Sequence, residues 1–420
     1  SGTSNFTVRV TDSQGTPDMD DQALSITISS ASGDPTYWQT SSDGVSTTTS
    51  ATYQNKVTLP FTPSASDEYI IIAYAEHSVA GWGSHAARMT LDGVVEGEEI
   101  RRTRGSDYFP FYAMKVATLD ASQHSVAIEY LSVDGETASI RNARVIVMRK
   151  AALEWYTTAA DSQQTITATP TDFVTMNFTP SSAGDYLLIW AAEVHGQYGV
   201  NITAASRLDG ATVHEGLIQN KGNDGEAAPL ATFVAQNLTA AQHTLAVRAS
   251  IPSSSGWIRR SRVAAIRLSG GRFADYAYAA DDTESTTTST SFVEKLSKSW
   301  TSGSTGNWLA LMSASTGQSS PFQSVESRMQ YNDSTTISAN TQVAMDGTEY
   351  LPSCGVGVIG VAEGSRQTDV DYRSGTPSYA AKINYAHIAL LPLDSGAAPP
   401  EDLVITTSSL PAGTQGVAYS

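Results

Sequence analysis

Across 420 residues the chain sets 42 Asp and Glu against 25 Lys and Arg, a formal charge of −17, yet only 16% of its residues are charged. That balance repels a phosphate backbone and no basic cluster offsets it, so nucleic acid is excluded as a partner. No apolar run approaches the ~20 residues that cross a bilayer, a lone cysteine excludes an internal disulfide framework, and 18 Tyr among many β-branched residues fit an all-β chain.

The first predicted element is a hairpin. Phe6, Val8 and Val10 alternate with Thr7 and Arg9, and after a loop rich in Gly and Asp, Leu24, Ile26 and Ile28 alternate with Ser25 and Thr27. Period two on both sides of turn chemistry is the hairpin signature. The loop "TDSQGTPDMDDQ" holds Asp12, Asp18, Asp20 and Asp21. Hard cations take several oxygen ligands, so these four are candidate calcium ligands. The competing reading is a solvated turn, and no other cofactor is expected.

Three copies of one module follow. "DEYIIIAYAE" from Asp67, "GDYLLIWAAE" from Gly184 and "GNWLALMSAS" from Gly306 align Tyr69, Tyr186 and Trp308, each led in by "FTPSAS", "FTPSSA" or "WTSGST". Downstream, "ARMTLDG", "SRLDG" and "SRMQYND" correspond, as do "ASQHSVAIEY" and "AAQHTLAVRA". The closing runs are "IRNARVIVMR", "IRRSRVAAIR" and "INYAHIALLP". Self-similarity at a fixed period marks a repeat architecture. The expected domains are 35–150, 153–269 and 274–394, flanked by partial modules at 1–29 and 402–420.

Each repeat has about eight strand-like runs and no helical period over three turns, which predicts an antiparallel two-sheet sandwich. "YIIIAYA" is apolar on both parities, so it is expected to be a central strand covered on both sides; the closing run alternates less cleanly and is expected to be partly exposed. An eight-stranded jelly roll is the first choice and an Ig-like Greek key the second. The repeats are similar to jelly-roll domains of bacterial surface and phage-fibre proteins, and distantly to the tumour-necrosis-factor/C1q-type roll.

At the far end, "LVITTSSLPAGTQGVAY" reads as a strand, a turn and a second strand start. It resembles the first strands of the Ig-like modules repeated in tandem on bacterial and archaeal surface proteins, as "NFTVRVTDSQG…ALSITIS" resembles their last two. The resemblance implies a window on a longer repetitive chain, with donor-strand completion by a neighbour as the other expectation. Neither an initiator Met nor a signal peptide is visible, so processing or truncation is expected to have removed any address.

Catalytic chemistry finds little support. His77 and His195 follow Glu76 and Glu193, a pairing that could ligate zinc, but the third repeat has Ser315 and Gly317 there and no ligand spacing is present. His124 and His243 recur before a strand, where a hydrogen-bonding role suffices. Arg88, Arg207 and Arg328 lie near Asp92, Asp209 and Asp333, and are expected to fix a turn by a salt bridge. "GEE" at Gly97–Glu99 and the Asp281–Asp282 pair each occur once, in loop-like sequence, and do not make a glycosidase dyad. Cys354, within "LPSCGVGVIG", is expected to be a small buried residue.

Trp82 in "AGWGSH" and Trp257 in "SSGWIRR" are the candidate glycan platforms, Trp82 the better one because glycines flank it with no apolar period, and core packing is the bland alternative. Asn5, Asn177, Asn201, Asn237 and Asn332 each head a sequon and are possible glycosylation sites. The expected function is a structural segment of a large secreted cell-surface or extracellular filament or adhesin, a stiff multi-domain rod; the alternative is a set of lectin-like modules. Expected partners are copies of the chain or adjacent modules along a fibre, and glycans. No enzyme activity is expected.

Overall fold

The computed structural model describes residues 2–11, 19–28, 37–104, 107–150, 153–196, 200–219, 228–252, 256–269, 273–321, 323–343 and 350–394. Among them every regular element is a β-strand. Gly2–Thr11 (β1) and Met19–Ile28 (β2) pair antiparallel, Phe6 opposite Leu24, in a unit separate from Thr36–Gly396. Asp20 and Asp21 stand in β2, opposite Val10 and Arg9, rather than in the connecting loop. Asp12, Asp18 and the whole of 402–420 lie outside the described residues.

Module 1 comprises β3 (Tyr37–Ser42), β4 (Ser46–Thr48), β5 (Gln54–Phe61), β6 (Asp67–Val79), β7 (Trp82–Leu91), β8 (Val94–Arg104), β9 (Phe109–Leu119), β10 (His124–Ser132) and β11 (Ala138–Arg149). Module 2 comprises β12 (Trp155–Ala160), β13 (Gln164–Ile166), β14 (Thr171–Phe178), β15 (Gly184–His195), β16 (Asn201–Leu208), β17 (Ala211–Gln219), β18 (Ala228–Leu238), β19 (His243–Ser250) and β20 (Gly256–Arg267). Module 3 comprises β21 (Ala277–Asp281), β22 (Ser285–Thr287), β23 (Val293–Ser302), β24 (Gly306–Gln318), β25 (Ser324–Tyr331), β26 (Thr335–Val343), β27 (Tyr350–Val361), β28 (Gly364–Ser374) and β29 (Ala381–Pro392).

One strand order appears three times. In module 1 the inner sheet runs β3-β11-β6-β9, with β4 also on β11, and the outer sheet runs β5-β10-β7-β8. Modules 2 and 3 repeat both orders strand for strand, all antiparallel. These are three jelly-roll sandwiches.

The two-sided apolar strand decides how the sandwiches sit. Tyr69, Ile71 and Ala73 of β6 pack inside their own sandwich, while Ile70, Ile72 and Tyr74 face the other way. Alternate side chains of a strand point to opposite faces, so the second face needs a cover that one sandwich cannot supply. The three inner sheets cover one another. Ile72 and Ile146 from module 1, Leu187 and Phe233 from module 2, and Leu311 and Leu391 from module 3 belong to one central core. Each module also keeps a core of its own between its sheets.

The closing strands β11, β20 and β29 are therefore buried along most of their length, not partly exposed: Ile146 and Met148 face the centre, Val145 and Val147 the sandwich. The modules close in a ring. Strands β8 and β9 meet module 2, β17 and β18 meet module 3, and β26 and β27 meet module 1. A rod in which each sandwich touches only its chain neighbours does not describe Thr36–Gly396, because module 3 packs against module 1.

Residues 36–396 expressed alone are expected to give a radius of gyration of roughly 21 Å in small-angle scattering, the value for a compact body of that length. Three sandwiches in line would give a clearly larger value and an elongated distance distribution. Phe233, fully buried and packed edge-on to Tyr112 of module 1 at 5.4 Å, should lose about 3–5 kcal/mol of stability on Phe233→Ala in denaturant unfolding.

Candidate functional site

Buried polar residues, Glu76, Glu193, Arg262, His214, Ser313 and Ser315 among them, stand at the three seams. Each closing strand carries a bulge that sets two residues against one: Asn142 and Ala143 opposite Ala75, Arg260 and Ser261 opposite Ala192, Tyr385 and Ala386 opposite Ala314. The first residue of each pair has a left-handed backbone, φ 48°, 48° and 49°. A bulge re-aims the side chains beside it, and here the bulge stands next to the equivalent pairs Glu76–Arg141, Glu193–Arg259 and Ser315–Asn384.

At the seam of modules 3 and 1, Glu76 is fully buried. It accepts from Arg141 Nε at 2.7 Å and from the Ala339 amide of module 3 at 2.7 Å. Arg141 donates to the Ala339 carbonyl at 3.1 Å and lies over the Tyr108 ring. The Tyr74 hydroxyl, within reach of Glu76 and of Asn340 Oδ1 at 3.0 Å, joins the two sides. Burial pushes the Glu76 carboxyl above its ordinary range, and Arg141 and the Ala339 amide offset part of that rise.

Charge is densest where module 1 meets module 2. Glu193 accepts from Arg259 at 2.6 Å, from Arg260 at 2.8 Å and from the Glu98 amide of module 1 at 2.7 Å. Arg259 reaches Glu98 Oε2 at 3.2 Å. The buried Arg262 binds Asp161 at 2.7 Å, Glu96 Oε2 at 2.9 Å and the Met114 carbonyl. Lys115 closes the network onto Glu96 at 2.9 Å and Asp161 at 3.2 Å.

The seam of modules 2 and 3 is bridged by neutral hydrogen bonds. Ser313 Oγ donates to the Phe233 carbonyl and accepts from the Phe233 amide, both at 3.1 Å. Ser315 Oγ donates to the Glu215 carbonyl at 2.8 Å and sits 3.1 Å from His214 Nε2. A Cβ added at Gly216 would fall 2.6 Å from Pro352 Cγ, so the strands approach too closely for any side chain there.

Glu76 and His77 do not form a pair: Glu76 turns to module 3, whereas His77 lies inside its sandwich, 3.1 Å from Glu99 and edge-on to His85 at 4.5 Å. Glu98 and Glu99 stand on β8 rather than in a loop; Glu98 faces module 2 and Glu99 the sandwich interior. Asp281 binds Lys295 at 2.7 Å and Asp282 binds His387 at 2.8 Å, so that pair is divided between two partners. His124 and His243 clamp Asp92 at 2.8 Å and Asp209 at 2.7 Å, and each carboxylate also takes a backbone amide.

Arg88 and Arg328 do not fix the turns expected of them. They reach across the sheet to Glu129 and Asp371, at 2.7 and 2.8 Å, and stack on Tyr53 and Phe292. Cys354 is buried in the central core, and burial pushes its thiol far above the range in which a thiolate forms.

Trp82 opens β7 after Gly81 (φ 74°) and is 63% exposed. Trp257 is half-buried, stacked on His195 at 4.6 Å and lying under Arg259. Asn177, Asn237 and Asn332 are exposed and Asn201 is half-buried. Asn5 stands in β1 opposite Ser25.

No family model and no curated protein matches the chain. Among solved structures, a triple jelly-roll fold from the turret assembly of an archaeal virus aligns over 93% of this chain and 90% of its own, at 8% identity and a TM-score of 0.18. PNGF-II aligns over 77% and 98%, at 8% identity and a TM-score of 0.28. The VP2 subviral particle of infectious bursal disease virus aligns over 86% and 82%, at 10% identity and a TM-score of 0.22. Scores this low carry no functional argument, and the jelly-roll assignment stands on the strand order itself.

Glu193→Ala is expected to destabilise the chain by about 3 kcal/mol in denaturant unfolding, because Arg259 and Arg260 lose a buried counter-charge. Arg248→Ala, which breaks the half-exposed pair with Asp172, should change stability by less than about 1 kcal/mol.

Proposed function

We propose that the chain is a structural segment of a large secreted cell-surface or extracellular filament or adhesin, in which Thr36–Gly396 serves as one preassembled load-bearing block between Ig-like modules. The supporting observation is the set of polar side chains that bridge the seams. Glu76, Arg141, Glu193, Arg259, Arg262, Ser313 and Ser315 are all engaged in holding one module to the next. The block works as an inert tie: its neighbours along the fibre pull on it, the central core and the seams share the load, and no chemistry is performed. Further copies of the chain and adjoining modules are the proposed partners.

Stretching the chain from its two ends in a single-molecule trap tests this. A block that yields as a unit should release, in its first rupture, more contour length than one sandwich contains. Three separate ruptures of one sandwich each would refute the load-sharing block. Protease shaving of intact source cells tests the location, and protection of the chain inside the cell would refute it.

A second reading has one specific observation in its favour. Trp82 presents most of its ring to solvent on a glycine-flanked turn, the placement on which a sugar ring can stack. On a glycan array the chain should then show saturable binding that Trp82→Ala abolishes while Trp257→Ala acts only through stability.

A further inference from the structure

His214 is fully buried on β17 where modules 2 and 3 meet, and its surroundings fix its protons one by one. Ser206 donates to Thr232 Oγ1 at 2.9 Å, and Thr232 Oγ1 lies 3.1 Å from His214 Nδ1. On the far side the Ser315 hydroxyl hydrogen is committed to the Glu215 carbonyl, so Ser315 Oγ must accept from His214 Nε2. The chain of donors runs Ser206, Thr232, His214, Ser315, Glu215 carbonyl, each hydrogen used once. It closes only if Nδ1 is an acceptor, that is, if the imidazole is neutral.

A second proton would reverse Thr232, strand a hydroxyl hydrogen and place a cation at the seam. Asp282 and a hydrogen bond to the Ala314 backbone answer that charge only in part, and burial outweighs both. The ring meets Tyr385 of β29 edge-on at 5.6 Å. The titratable groups facing it are His387, also on β29, and Asp282, in the turn after β21. Asp282 is already bonded to His387 Nε2 at 2.8 Å, and His387 Nδ1 to the Tyr278 hydroxyl at 2.8 Å. The Glu215 side chain is exposed, and only its backbone reaches the seam.

We propose that the seam between modules 2 and 3 is an acid-release point set by His214, which parts in acid while the arginine–carboxylate seam between modules 1 and 2 stays closed. Burial, with His387 beside it, pushes His214 down to about 3 in the closed ring, whereas an exposed imidazole titrates near 6.5. The sign follows from linkage. A base held below its free value favours the closed form fully above pH 6.5, and that advantage falls as the pH drops from 6.5 towards 3. The opening equilibrium rises about tenfold for each pH unit in that window, roughly a hundredfold by pH 4.5.

Two backbone amides report the seams directly, since each is bonded only across one: Phe233 to Ser313 Oγ, and Glu98 to the Glu193 carboxylate. Hydrogen exchange on the full chain between pH 7.5 and 4.5, corrected for intrinsic rates, should show protection at Phe233 falling about tenfold per unit below 6.5. Protection at Glu98 should hold, and in His214→Gln protection at Phe233 should no longer depend on pH. A flat Phe233 profile in the parent chain, or the same fall in His214→Gln, overturns the proposal. If His214→Gln loses protection throughout at pH 7.5, the His214 ring resonance of the parent chain decides. No titration above pH 4.5 in the closed ring sustains the proposal, and a midpoint near 6.5 overturns it.

Discussion

A β-sheet that is apolar on both faces cannot be satisfied inside one sandwich, and the architecture of Thr36–Gly396 follows from that constraint. β6, β15 and β24 each carry a run of large apolar residues with no polar alternate. One parity fills the sandwich; the other would stand in water. Burying a large aliphatic or aromatic side chain is worth about 1.5–3 kcal/mol, so leaving three such faces open would forfeit a large part of the stability of a domain. Convergence of the three faces removes the problem and produces the central core.

The seams then fix which module meets which. Apolar faces alone are permissive about partner and register, whereas hydrogen-bonded charge is not. The bulged closing strand is common to all three modules, but what it positions differs: acid and arginine in modules 1 and 2, serine and asparagine in module 3. Glu193 fits the arginine pair beside it and the Glu98 amide opposite. Ser315 in the same place can serve only a neutral neighbour such as His214 and the Glu215 carbonyl. A module exchanged between positions would leave buried charge without a partner, which costs more than the apolar contacts distinguish.

Much of this was legible in the chain. The recurrence of Tyr69, Tyr186 and Trp308 announced three copies, and period two announced strands. The double parity of "YIIIAYA" announced a strand covered twice. What covers the second face was not legible, because sequence names the need for a partner and not its identity. The seam arginines were missed for a related reason. Arg141 and Arg259 sit in the mixed polar first halves of the closing runs, and Glu76 and Glu193 end apolar central ones. Each had its partner on another strand, and strand pairing beside the shared bulge brings them together. The flanking glycines already favoured Trp82 over Trp257, but the histidine of β15 that stacks on Trp257 could not be read from its neighbours in the chain. Arg88 was assigned to the nearest acid in sequence, while strand pairing gave it Glu129.

The three sandwiches share one polypeptide, and this changes how the ring can vary. Three separate subunits related by symmetry must place identical residues at every junction, so any alteration is made in triplicate and must suit all three at once. Covalent joining lifts that condition and keeps the parts at high effective concentration however dilute the molecule becomes. Each junction is free to drift along its own course, one towards ionic lattices and another towards hydroxyls around an imidazole, and a weakness introduced at one leaves the other two as they were.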